Sequence, residues 1–298
     1  MHIAVVGAGS LGSLLGGLLA RAHDVTLVGR QPHVGRVDSE GLTVVGAESF
    51  RVDPAARTDI PEGAALAVVA VKSYDTATVA QQLSDCDIDA CLSVQNGMGN
   101  EDTLVDALDC PVLAGTCSYG ARLASPGTVA FTGRGEVAIG VREGGRSEVA
   151  ERVGTAFTEA GIETTVAADM PTRLWEKLAV NAAVNAVTAL ARVENGALAD
   201  GPGASLAADA ARETARIARQ QGVDLSAERA VGTTRRVVRA TADNDSSMRQ
   251  DVLAGERTEV DAINGHVVDV ADTPVPVNET LTALVRTWET AQPSARER

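Results

Sequence analysis

The stretch Met1-His2-Ile3-Ala4-Val5-Val6-Gly7-Ala8-Gly9-Ser10-Leu11-Gly12-Ser13-Leu14-Leu15-Gly16-Gly17-Leu18-Leu19-Ala20 decides the fold. A β-branched run passes at once into G-x-G-x-x-G and then into an apolar segment of helical character. A lone glycine motif is a weak signal, but one set between a strand and a helix is strong. Gly7 permits the tight turn, Gly9 lets the backbone approach a pyrophosphate, and Gly12 allows close helix packing. Ala8, Ser10 and Leu11 complete the loop, and the helix N-terminus offers N–H donors and a positive dipole to a dinucleotide. The bland alternative is a glycine turn that serves packing alone.

Working outward, the first 120 or so residues alternate strand-like runs at 2–6, 24–28, 65–71 and 90–94 with helical segments at 10–21, 73–83 and 101–108. Runs such as Ala65-Leu66-Ala67-Val68-Val69-Ala70-Val71 lack polar alternation, as strands covered on both faces do. This order calls for parallel strands with crossover helices, an open doubly wound sheet. Residues 112–141 then read as glycine-punctuated hairpin strands, followed by a helix at 146–160 and a strand at 162–166.

Beyond residue 168 helical period dominates, at 170–190, 204–221, 227–240, 248–254, 258–271 and 279–291. Breaks are expected at Gly201-Pro202-Gly203, at 243–247 and at Thr273-Pro274-Val275-Pro276, with Asn278 capping the last helix. The expectation is therefore a Rossmann-type α/β domain over residues 1–168 and an all-α domain over 169–298.

Composition narrows the function. A formal net charge of −14 repels nucleic acid and anionic membrane, so neither is an expected partner. The longest apolar run is strand-length, well short of the roughly 20 residues that a membrane span needs. Met1 leads into a strand without the features of a signal peptide, so cytoplasmic residence is expected. Cys86, Cys91, Cys110 and Cys117 form no C-x-x-C pair and the four histidines are scattered, which argues against a metal site. Of 26 basic residues only Lys72 and Lys177 are lysine, and aromatic residues are scarce. With the acidic surface, this suggests adaptation to a salty cytoplasm, where repulsion among carboxylates is screened.

About 20 residues past the loop, where an acidic side chain would bond a ribose 2′-hydroxyl, the second strand ends instead in Arg30. Arginine suits the 2′-phosphate of NADPH. Lys72 and Asn96 follow the next two strands, and ligands bind at the carboxyl ends of strands in such sheets. Asn96-Gly97 also reads as an ordinary turn.

In Trp175-Glu176-Lys177-Leu178-Ala179-Val180-Asn181-Ala182-Ala183-Val184-Asn185, the spacing i, i+4, i+8 puts Lys177, Asn181 and Asn185 on one stripe of an apolar helix. A buried ammonium needs an anion or a cleft. Arginine cannot release its proton, whereas a desolvated lysine can, which fits a proton donor to a carbonyl under reduction.

These residues resemble the ketopantoate reductase family over nearly the whole chain. The resemblance rests on GAGSLG with Arg30, AVKSYDT around Lys72, QNGMGN around Asn96, WEKLAVNAAVNAVTAL around Lys177, and SSMRQDVLAGERTEVDAINGHVV. It implies a helical domain like that of 6-phosphogluconate dehydrogenases and reduction of a small 2-oxo acid, ketopantoate, by NADPH on the route to pantothenate and coenzyme A. It further implies Lys177 as proton donor, Asn181, Asn185 and Ser247 as substrate ligands, and Glu259 as a catalytic and cofactor-side carboxylate. Lys72 and Asn96 would lie at the cofactor. One departure is that Ala20-Arg21-Ala22-His23-Asp24 lacks the family's expected glycine.

Plainer readings of single residues stay open, since Ser246 or Ser247 could cap a helix and Glu259 could answer a helix dipole. For the whole chain, the alternatives are a related dehydrogenase of another 2-oxo or 3-hydroxy acid and a non-catalytic NADPH-binding protein. The alanine-rich helical half has surface enough for a homodimer.

Overall fold

Valine and isoleucine on both faces of the first strand require cover on both sides, and the chain supplies it with helices and a second sheet. The computed structural model describes residues 1–292. They divide into two compact units, Met1–Gln95 with Asn100–Met170, and Asn96–Gly99 with Pro171 onward.

In the first unit the strands are β1 (His2–Val6), β2 (Asp24–Val28), β3 (Leu42–Gly46), β4 (Phe50–Val52), β5 (Ala55–Arg57), β6 (Gly63–Ala64), β7 (Leu66–Val69), β8 (Asp87–Ile88), β9 (Cys91–Ser93), β10 (Val112–Cys117), β11 (Gly120–Ser125), β12 (Thr128–Gly133), β13 (Val137–Gly140) and β14 (Thr164–Val166). The main sheet runs β14-β13-β10-β9-β7-β1-β2-β5. Pairing is parallel from β5 through β10, and the β10–β13 pair is antiparallel. From β1 the chain winds one way to β2 and the other way to β7, so the switch point lies at the end of β1.

The helices of this unit are α1 (Ser10–Leu19), α2 (His33–Glu40), α3 (Thr76–Leu83), α4 (Asn100–Val105) and α5 (Glu148–Glu159). A second sheet, β11-β12-β3-β4, covers α1 from the side away from the main sheet. A Cβ on Gly16 would sit 2.3 Å from Leu27 Cδ2, and one on Gly17 would sit 2.9 Å from Leu42 Cδ2. Adjacent glycines thus let α1 press on both sheets, which is why this helix is apolar nearly all round. Sequence reasoning assigned nothing to β3, β4 and β5. The last of these, Ala55-Ala56-Arg57, has no strand propensity of its own and is held by pairing with Thr26, Leu27 and Val28.

The second unit is helical: α6 (Met170–Ala191), α7 (Gly201–Gln220), α8 (Ala227–Ala240), α9 (Ser247–Ala254), α10 (His266–Asp269) and α11 (Pro276–Ala291). Three expectations need correction. Gly201-Pro202-Gly203 is not a break but the first turn of α7, where proline's missing N–H costs nothing. Asn278 is not the cap of α11. Instead Glu213, on α7, accepts from the backbone N–H groups of Val277 and Asn278 at 3.0 Å each, while the Asn278 side chain turns inward. The segment expected as a continuous helix over 258–271 starts with a π turn, Asp261–Gly265, and only then becomes α10. The glycine-free turn before β2 closes with short backbone bonds, Arg21 N–H to Leu18 and His23 N–H to Leu19, and needs no positive φ.

Candidate active site

In the first unit, Gly7 has φ +108 and a Cβ there would lie 2.5 Å from the Val71 nitrogen. A Cβ on Gly12 would lie 2.1 Å from the Gly7 carbonyl oxygen, so both glycines are required by the fold itself. Gly9 is different, because its added Cβ would meet nothing within 4 Å. Packing within the protein does not explain that glycine, since its Cβ would stand in open space. The amides of Gly7 and Ala8 both donate to the Val28 carbonyl, which pins the loop to β2, and the first intrahelical bond runs from Ser13 to Gly9. The N–H groups of Ser10, Leu11 and Gly12 therefore form the open first turn of α1, with its positive dipole end. Ser10 Oγ accepts from the Leu123 amide at 3.0 Å, and Leu11 packs on the main core. These residues fit the pyrophosphate of a dinucleotide.

Arg30 follows β2 with 86% of its side chain exposed, and one Nη donates to Asp75 at 2.8 Å. Lys72 stands at the start of the 3-10 turn Ser73–Asp75, after β7. Sequence reasoning missed what holds these strand ends together. Gln95 Nε2 donates to the Val71 carbonyl at 3.1 Å and to Thr76 Oγ1 at 2.7 Å, and Thr76 donates in turn to Asn100 Oδ1 at 2.9 Å. All three side chains are buried. The signal was present in Gln95-Asn96-Gly97, where a buried amide must find partners. Beside them Glu101 is buried, and desolvation pushes its carboxyl up against the opposing pull of its own backbone N–H and the Ser93 hydroxyl.

In the second unit the stripe along α6 is as the spacing requires. Lys177 and Asn181 are half-buried and Asn185 is buried, among core residues Leu178, Ala179, Ala182, Ala183 and Ala186. The Lys177 ammonium nitrogen is out of reach of solvent. The stripe continues to Thr188, whose hydroxyl bonds Ser246 Oγ at 2.7 Å. Ser246 is the N-cap of α9, accepting from the Arg249 amide at 3.1 Å, so Ser247 is the first helical residue. On the opposite face, Glu176 pairs with Arg229 at 2.8 Å and accepts from Thr233. Burial raises the Glu176 pKa, and these partners outweigh it and hold the carboxyl below its ordinary range.

Glu259 is buried at the entry to the π turn, and Asn96 Nδ2 lies 3.5 Å from its Oε2, the outer limit of a hydrogen bond. The fold thus brings Asn96 and Glu259 together from 163 residues apart. Among the described residues no cluster of histidine, cysteine and carboxylate side chains could hold a metal ion, and no helix is long and apolar enough to cross a membrane.

Residues 3–144 match the ketopantoate reductase PanE/ApbA family, and residues 169–289 match its C-terminal counterpart. The chain belongs to the ketopantoate reductase family. Within this family, the 2-dehydropantoate 2-reductase of Halobacterium salinarum is 44% identical over 98% of its own length and 96% of this chain. That of Pyrococcus horikoshii is 37% identical, over 98% of its length and 97% of this chain. The crystal structure of a PanE/ApbA family ketopantoate reductase from Ralstonia eutropha JMP134 superposes with a TM-score of 0.89 at 34% identity, covering 97% of this chain and 99% of that one. A D-mandelate dehydrogenase bound to NADH and anilino(oxo)acetate shares the fold, with a TM-score of 0.91 at 22% identity and coverage of 98% and 99%.

Proposed function

We propose that this ketopantoate reductase family member reduces 2-dehydropantoate to pantoate with NADPH, in the cytoplasm of a salt-adapted cell. The observation that carries the reading is the stripe Lys177, Asn181, Asn185 on an otherwise apolar helix, extended through Thr188 to the Ser246 cap of α9. A lysine retained there, in a chain whose basic residues are arginine except at Lys72 and Lys177, answers a need for a releasable proton.

We take residues 1–168, apart from the Asn96–Gly99 loop that belongs to the second unit, as the NADP-binding domain and residues 169–298 as the substrate domain, of which 293–298 lie outside the described residues. The loop Gly7 to Gly12 holds the pyrophosphate, Lys72 and Asn96 contact the cofactor near its reacting end, and Arg30 takes the 2′-phosphate. Support for Arg30 is that its guanidinium is exposed and only one of its nitrogens is engaged by Asp75. NADPH, when bound, supplies the hydride. Lys177 holds the proton for the substrate's carbonyl oxygen and stabilises the charge that develops there. Asn181 and Asn185 orient the substrate's oxygens, and Ser247, in the first turn of α9, binds its carboxylate where the helix dipole favours an anion. Glu259 orients Asn96 and relays protons in the same network.

The test is steady-state NADPH oxidation with ketopantoate for wild type, Lys177→Ala and Arg30→Ala. Lys177→Ala is expected to lose roughly 10²- to 10⁴-fold in kcat while still binding NADPH. Arg30→Ala is expected to lose roughly tenfold or more in its preference for NADPH over NADH, the worth of one charge-assisted bond. Unchanged turnover in the first variant sinks the proton donor, and an unchanged preference in the second sinks the cofactor choice.

A further inference from the structure

The segment from Glu259 to His266 carries one side chain of the proposed chemistry, yet its backbone is irregular where a plain helix would have sufficed. Gly265 N–H bonds the Val260 carbonyl at 2.8 Å, a five-residue closure that widens the turn. Such π turns interrupt helices at a cost and concentrate at functional positions. Two features of this turn meet the Asn96–Gly99 loop. The Ala262 carbonyl accepts from the Met98 amide at 3.0 Å, in the Asn96–Gly99 loop. Gly97, with φ +83, lies so close that an added Cβ would sit 2.5 Å from Ala262 Cβ and 2.6 Å from Ala262 O. The turn is therefore the surface on which the Asn96 loop rests.

The turn is itself fixed to α6. Asn264, fully buried, donates from Nδ2 to the Ala182 carbonyl at 2.9 Å and to Asn278 Oδ1 at 3.0 Å. One residue beyond the turn proper, the His266 ring lies 5.9 Å from the ring of Trp175. These anchors on α6, at residues 175 and 182, are about 10 Å apart along the helix axis at 1.5 Å per residue. Lys177 and Asn181 lie between them. A single buried amide thus joins the backbone of the helix bearing the proposed proton donor to the turn that follows Glu259 and supports Asn96.

We infer that Asn264 is a positioning residue for the reaction: by clamping the π turn to Ala182 it sets Glu259 and Asn96 in register with Lys177 and Asn181. It touches neither substrate nor cofactor. The inference rests on the assignment of those four residues proposed above. Its physical basis is that a shift of about 1 Å in a reacting constellation can cost on the order of 10²-fold in rate. Asn264 supplies the donor, and neither a methyl group nor a carboxylate can replace it against a carbonyl acceptor.

The experiment compares wild type, Asn264→Ala, Asn264→Ser and Asn278→Ala, with kinetics and amide hydrogen exchange on each NADPH-loaded enzyme. Asn264→Ala is expected to lower kcat on the order of 10²-fold, with the pH profile of kcat displaced. The Met98 amide should exchange faster while amides within α6 keep their protection. Asn264→Ser, a shorter donor, should recover part of kcat, and it carries the test if the alanine variant does not fold. Asn278→Ala, which leaves the Ala182 contact, should lower Tm without lowering kcat. Wild-type kcat and pH profile in folded Asn264→Ala would overturn the inference, as would a fall in kcat with Met98 protection intact. The exchange measurement needs no substrate: if wild type fails to turn over ketopantoate, faster exchange at Met98 upholds the clamp while the substrate reading falls, and unchanged exchange overturns the clamp.

Discussion

The two units bury different things. Among the described residues, the largest core cluster of the first unit has 4 alanines in 29 members and is filled by Ile3, Leu14, Leu27, Phe131 and Phe157. The core cluster of the second unit has 12 alanines in 30. Large side chains fill the first core, whereas small ones let helices approach closely in the second and leave less apolar area to specify their register. Buried polar chains supply that specification: Glu213 to Asn278 to Asn264 to Ala182, and Thr188 to Ser246. Hydrogen bonds between buried polar groups rigidify a core that alanine alone would leave interchangeable. The first unit thus holds its loop by volume, glycine contacts and backbone bonds to Val28, and the second holds its side chains by hydrogen bonds.

The largest expected effect that would break this contrast is truncation in the first unit. Phe157→Ala should cost about 3–5 kcal/mol, read as a lower urea midpoint with the slope unchanged. In the second unit the sensitive direction is enlargement. Ala210→Leu, between α7 and its neighbours, should cost about 1–3 kcal/mol through overpacking, and a neutral result would mean that this core has slack.

Acid separates the units by a smaller margin. His33 is buried, takes the Gly127 amide on Nδ1 and bonds Ser13 with Nε2, and burial holds its pKa below the ordinary 6.5. The unfolded chain therefore binds the proton first, so this contribution is complete above pH 6.5 and is lost as pH falls below it. Glu176 is depressed below its ordinary 4.5, so its pairing with Arg229 stabilises above that pH and is lost only as pH falls through the folded value. Between those two pH values amides around His33 should exchange faster before those around Glu176 do, while Glu101, whose raised carboxyl takes up its proton first in the folded chain, acts in the opposite direction within the first unit. Simultaneous loosening would refute that order. The smallest effect is global: with a net charge of −14, KCl should raise Tm by screening self-repulsion, and a fall in Tm with salt would overturn the salt-adapted reading.

Legibility followed locality. The glycine loop, the strand-helix alternation and the stripe on α6 are set by neighbours within about two turns, and each was readable residue by residue. What was not readable involved partners far along the chain. Ala55-Ala56-Arg57 becomes a strand because β2 offers an edge. The cap of α11 comes from Glu213, 65 residues before Asn278. Ser246 and Ser247 were equal candidates for a cap until Thr188 and the Arg249 amide chose Ser246.

By itself the sequence determined the class of fold, the glycine loop between β1 and α1, and which ionisable and amide side chains stand on one helical stripe. Those follow from backbone sterics and the fixed periods of helix and strand, which act over a few residues. Only the tertiary structure decided that Gly9 faces open space while Gly7 and Gly12 face backbone, that Asn96 lies against Glu259, and that a π turn clamped by Asn264 holds them there. Those depend on which donors and acceptors lose water together when distant segments pack, and no local rule carries that information.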